Sequence, residues 1–192
     1  MNLEKYQQYS RIARGLEKAD LVLKDARIVN VFTEEIIRGD IAIQDGIIAG
    51  IGSFHGKEER DLAGRYVCPG FIDSHLHLES TLVTPAELVT AASRHGTTTF
   101  IVDPHESANV SGLAGIDYIL DQTEDVKANV YVMMPSCVPA TAIDDNGCTL
   151  TAEDMVPYLH NSRILGLGEV MDSISVVQGE KSMHDKLELF EG

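Results

Sequence analysis

From Cys68 onward, short apolar runs alternate with helical segments, and this rhythm constrains the fold more than any other feature. VCPGFIDSHLHL, TTTFIVD, NVYVMMP and RILGLGEVM read as buried strands. TPAELVTAASRHG reads as a helix capped by Thr84, with Pro85 at its first position, Glu87 at its third and Gly96 as its stop. Residues 110–125, the segment TAEDMVPYLHN capped by Thr151, and residues 182–190 read as further helices. Parallel strands need long crossovers, and helices supply them, so the alternation predicts a parallel α/β sheet of about four βα units. A (β/α)8 barrel takes about 250 residues, so residues 69–192 would fill only about half of one. Gly166-Leu167-Gly168 is followed by Glu169-Val170, without the third glycine of a dinucleotide-binding turn.

The N-terminal third differs. Leu3, Tyr6, Ile12, Ala13 and Leu16 are spaced for one apolar face, which predicts a helix over 3–19. Residues 21–68 are short β-branched runs broken by Asp-Gly and Gly-Asp pairs, with Asp45-Gly46 as a hairpin turn. The expected organisation is an N-terminal helix over 1–20, part of a small β domain over 21–68, and the α/β region over 69–192.

Charge excludes some partners. The 192 residues carry 15 Lys+Arg against 30 Asp+Glu, a net charge of -15. Such a chain repels phosphate backbones and anionic lipid, so no nucleic-acid or membrane partner is expected. MNLEKYQQYSRIARGLEKAD has no signal-peptide core, and no apolar stretch approaches a membrane span. Cys68, Cys137 and Cys148 are odd in number and form no CxxC pair, and they read as ordinary small apolar residues of a cytoplasmic protein. Asn109-Val110-Ser111 is then a chance sequon.

Chemistry concentrates at strand ends. His75 and His77 stand at i and i+2 in PGFIDSHLHLES, so on a strand both imidazoles share one face and suit a divalent metal. Glu169 in GLGEVM ends another strand and offers a hard anionic ligand. Asp103 and His105 in VDPHES are again at i and i+2. They could orient a metal-bound water, touch substrate or ligate, or simply shape an Asp-Pro turn. Glu79 is either a hydrogen-bond partner of a ligand histidine or a solvated loop acid, and Ser80 follows it. His95 reads as a helix-end cation, and His55, His160 and His184 as surface residues. His77-Leu78-Glu79 spells HxE, but Cys137 has no partner cysteine, which excludes the zinc nucleobase-deaminase fold.

PGFIDSHLHLESTLVTP, then GTTTFIVDPHE with a following ANV, then GLGEVM resemble the amidohydrolase superfamily. The likeness runs from about Ala19 to Met171, and is strongest to the bacterial metal-dependent adenine deaminases. Related cyclic-amide hydrolases place a carboxylated lysine where Glu169 stands. Acetylglucosamine-phosphate deacetylases use a Glu on the third strand, and NVYVMMP has none. The resemblance implies an α/β fold: part of a (β/α)8 TIM-type barrel, about its first four βα units, preceded by part of a small β-sandwich domain. It implies hydrolysis of adenine, a small purine base, at a binuclear manganese or iron site, with zinc also compatible. It matches His75, His77 and Glu169 to metal-ligand positions, with Glu169 bridging two ions and catalytic; the strand-end placement of Asp103 and His105 makes them the other catalytic candidates. It implies a cytoplasmic homo-oligomer.

The family's later histidines and its proton-shuttling aspartate have no counterpart before Gly192. The expectation is a fragment of a longer enzyme, inactive or nearly so on its own. The alternatives are an amidohydrolase acting on a cyclic amide or another aminated ring, and a non-catalytic half barrel that pairs with a second chain.

Overall fold

The computed structural model describes residues 2–141 and 143–191. The chain divides into two compact units, Met1–Pro69 and Gly70–Gly192. No described helix is long and apolar enough to cross a membrane.

The first unit opens with helix α1, Leu3–Ala13, whose start is capped by the Asn2 side chain accepting from the Lys5 N–H at 2.9 Å. The helix stops there, with Gly15 at φ +70°, and does not run on to residue 19 as the spacing predicts. Of the expected apolar face only Ile12 is buried, while Leu3, Tyr6 and Leu16 lie exposed. Five strands follow: β1 Ala19–Asn30, β2 Glu35–Gln44, β3 Ile47–Gly52, β4 Gly56–Asp61 and β5 Tyr66–Val67. They form one sheet in the order β3-β2-β1-β4, with β5 also on β1. The β2–β3 hairpin turns at Asp45 and Gly46, both at positive φ. Ile12 packs with Ala19, Val22, Ala42 and Phe54, so α1 belongs to this unit's core and is not a separate segment.

Asp40 ties the sheet together. It is buried and accepts from the Lys24 ammonium and from the Asp25 and Phe54 N–H groups. Burial alone would raise its pKa, but Lys24 and the two amides together hold it below the usual carboxylate range. The stabilisation is therefore present at neutral pH and is lost as pH falls through the folded-state pKa. Asp40→Ala should cost about 2–3 kcal/mol in urea unfolding at pH 7, because it strands Lys24 and two amides. A loss below about 0.5 kcal/mol, the level of a surface substitution, would show that Lys24 finds water instead.

The second unit is a four-stranded sheet in the order β6-β7-β8-β9: Phe71–Leu76, Thr97–Val102, Asn129–Met134 and Ile164–Leu167. All neighbours are parallel, so every strand ends at the same edge. Helix α2, Pro85–Ser93, connects β6 to β7. The predicted helix over 110–125 is instead two helices, α3 His105–Ser111 and α4 Leu113–Gln122. Gly112 breaks them at φ +61°, where a Cβ would also stand 2.6 Å from the Cys148 sulfur. Thr151 caps the next helix as predicted, closing a capping box with Asp154, but α5 is only Ala152–Met155 before Pro157 tightens the chain into a 3-10 turn. Helices α6, Ser173–Gln178, and α7, Lys181–Leu189, complete the unit. Its core packs Phe100, Val102, Val130 and Val132 of the strands with Ile116 and Ile119 of α4.

Candidate metal centre

The common strand edge gathers the chemistry. His75 is the fifth residue of β6, and His77 lies one residue past its end. Their rings meet edge to face, with centroids 5.0 Å apart. Glu169 lies two residues beyond β9. His75 Nε2 and His77 Nε2 are 3.2 Å apart. Glu169 Oε1 is 3.2 Å from His77 Nε2, and Oε2 is 3.7 Å from His75 Nε2. Ligands about 2.0–2.2 Å from one ion lie about 3 Å or slightly more from each other, so these separations suit donors that share a cation.

Proton placement sharpens the fit. His77 Nδ1 is 2.9 Å from Glu106 Oε2, an acceptor, so Nδ1 carries a proton. Neutral His77 then turns the Nε2 lone pair toward a second imidazole nitrogen and a carboxylate oxygen. A hydrogen on one of these atoms, or a metal cation between them, would satisfy the lone pairs that meet there. Burial disfavours the His77 cation, but Glu106, with Asp103 and Glu169 behind it, raises the His77 pKa overall. The attraction that raises that pKa would equally draw a divalent cation.

Glu106 is the residue that reading the sequence missed as a partner of the centre. Glu79, the residue weighed there for that contact, instead accepts from the Ser107 N–H at 3.0 Å. Its other oxygen is buried without a hydrogen-bond partner among the described residues. Burial, with the neighbouring Glu106 carboxylate, raises the Glu79 pKa. Ser80 donates to Glu106 Oε1 at 3.2 Å and so holds the carboxylate that orients His77. The available signal was the acid after the DPH triplet, one residue beyond the pair considered. Replacing Glu106 by alanine should weaken divalent-metal binding about 10–100-fold, read by Mn2+ titration, because His77 loses its tautomer lock. Unchanged affinity would mean that the ring is oriented by packing alone.

Asp103 and His105 do not share a strand face as their spacing suggested. Asp103 follows the end of β7, and His105 is the first residue of α3. Asp103 is 1% exposed, and its Oδ2 accepts the Glu169 N–H at 3.1 Å. Burial raises its pKa most strongly, against the Glu169 amide and the nearby histidines. His105 is buried, with no hydrogen-bond partner for either ring nitrogen among the described residues. Of the other histidines, His184 is not the free surface residue expected: its Nε2 lies 3.0 Å from the Val176 carbonyl.

Known proteins carry similar sequences. The profile of the amidohydrolase family matches residues 66–189. The chain belongs to that family. Adenine deaminase of Desulfitobacterium hafniense strain Y51 is 57% identical over 190 residues, covering 99% of this chain and 33% of that protein. The adenine deaminases of Geobacillus kaustophilus and Clostridium acetobutylicum are 49% and 50% identical, covering 90% and 92% of this chain and 30% and 31% of their own. This amidohydrolase chain thus spans about a third of the length of the curated relatives it matches. The solved N-acyl-D-glutamate deacylase of Bordetella bronchiseptica aligns with a TM-score of 0.48 and 22% identity, over 62% of this chain and 30% of that one.

Proposed function

We propose that this chain is the N-terminal part of a metal-dependent adenine deaminase, which converts adenine and water to hypoxanthine and ammonia. The observation that carries the reading is the meeting of His75, His77 and Glu169 donor atoms within 4.8 Å of one another at one sheet edge. The adenine deaminase relatives give that centre its substrate. Residues 69–192 then form about four units of a (β/α)8 barrel, and residues 21–68 part of a small β domain after the N-terminal helix. Further strands would cover Phe71 and Ile72, now 61% and 62% exposed, and pair with the edges of β6 and β9 that have no partner strand among the described residues.

In this reading the Nε2 atoms of His75 and His77 and the carboxylate of Glu169 hold a divalent metal. Manganese or iron suits the proposal, zinc fits the same donors, and Glu169 has a second oxygen to share in a binuclear centre. A divalent metal, when bound, lowers the pKa of water toward neutrality and so supplies a nucleophile for the ring carbon bearing the exocyclic amine. Glu106 keeps the proton on His77 Nδ1 and leaves Nε2 free to ligate. Asp103 holds the Glu169 main chain in place through the Glu169 N–H. A cytoplasmic homo-oligomer acting on a free purine base completes the proposal.

The test is ammonia release by the full-length protein, Mn2+-loaded and chelated, from adenine, guanine, cytosine and a cyclic amide. Adenine should exceed the others by at least about tenfold, and chelation should abolish turnover. Preference for the cyclic amide or another base would move the chain to a different amidohydrolase activity. No turnover of any of them by the metal-loaded protein would overturn the deaminase reading.

A further inference from the structure

Glu169 is gripped through its main chain from both sides. Its N–H donates to Asp103 at the end of β7. Its C=O accepts from the hydroxyl of Ser136, just past β8, which is fully buried. The carboxylate therefore hangs from a peptide segment whose direction is set by two neighbouring strands.

Ser136 is itself anchored. Its carbonyl accepts from Lys186 Nζ at 2.8 Å, across 50 residues of sequence. Lys186 lies on α7 and is only 7% exposed. A lysine that deeply placed is rare, because its ammonium loses most of its water. A plain packing role would be filled at lower cost by leucine or methionine. What lysine adds is a charge-assisted hydrogen bond at the end of a long stem, able to reach from a helix to a strand-end carbonyl.

We propose that Lys186 is a positioning residue for Glu169, acting through Ser136. The inference rests on reading Glu169 as a metal ligand. Lys186 sets the Ser136 main chain, Ser136 sets the Glu169 carbonyl, and the carboxylate stays aimed at the two histidines. Removing the amine takes the side-chain donor from the Ser136 carbonyl and lets the Glu169 segment turn.

The experiment is Mn2+ titration of the full-length protein, followed by adenine turnover at saturating Mn2+. Lys186→Met should weaken Mn2+ binding by about tenfold, and Lys186→Arg, which keeps the donor, should recover most of it. At saturating metal, kcat should fall while KM for adenine stays within about twofold. A folded Lys186→Met protein with Mn2+ affinity within about twofold of wild type overturns the inference. If that variant does not fold, Ser136→Ala decides: weakened binding supports the inference, and unchanged binding overturns it. A wild-type protein that binds Mn2+ but leaves adenine intact overturns the deaminase reading alone, and the Lys186 affinities still judge this inference. A wild-type protein that binds no divalent metal overturns both.

Discussion

Glu169→Gln is expected to strip bound metal from the full-length protein and to lower adenine turnover by about a thousandfold or more. The substitution keeps the side-chain size. It also leaves both main-chain grips on residue 169 intact, since Asp103 and Ser136 hold backbone atoms. What it removes is the negative charge that faces His75 and His77 at 3.7 and 3.2 Å. An amide offers a divalent cation one weak neutral oxygen, and its NH2 would face a histidine lone pair. Glu169 is 38% exposed on its side chain, so unfolding stability of the metal-free protein should change by no more than about 0.5 kcal/mol. Elemental analysis, urea unfolding and ammonia release together separate lost chemistry from lost fold. Retained metal with retained turnover would remove Glu169 from the centre and leave Glu106 as the only carboxylate paired with its histidines among the described residues.

Gly168→Ala should be nearly as damaging to the centre, although residue 168 offers no ligand. A Cβ there would stand 2.2 Å from Asp103 Oδ2, 3.0 Å from its Cγ and 3.1 Å from the Met134 carbonyl oxygen. Asp103 is enclosed and cannot swing away without releasing the Glu169 N–H. On the other side, the Gly168 N–H is itself tied to the Met134 carbonyl at 2.6 Å. Overpacking of this kind costs about 1–3 kcal/mol. The displaced segment carries Glu169 with it, so Mn2+ affinity should drop about 10–100-fold. Gly166→Ala is the control, because its Cβ would meet only the end of Met133 at 3.7 Å, an ordinary contact. If both variants unfold alike and bind Mn2+ alike, the close approach at Gly168 does not shape the site.

Much of the site was legible because strand periodicity is short-ranged. Two histidines at i and i+2 must share a face of an extended chain, and an acid just past a later parallel strand must reach the same edge. Composition and pattern also carried the parallel order, since four apolar runs separated by helices have few other ways to pair. Local rules failed where local choices competed. Gly112 split a helix that periodicity alone would continue, and the Asp103-Pro104 turn placed His105 at the start of a helix rather than on a strand.

Residue type and spacing determined which side chains could hold a metal and which end of the sheet they would occupy. Only the tertiary structure decided which groups aim them. Glu106 reaches His77 across 29 residues, Asp103 reaches Glu169 across 66, and Lys186 reaches Ser136 across 50. Each contact depends on the register of parallel strands, including the irregularity between Asp73 and Leu76 that sets where β6 ends against β7. A period of two or of 3.6 residues fixes the face a side chain occupies on its own element. It carries no information on which residue of a neighbouring element lies opposite, because that follows from how the whole core packs.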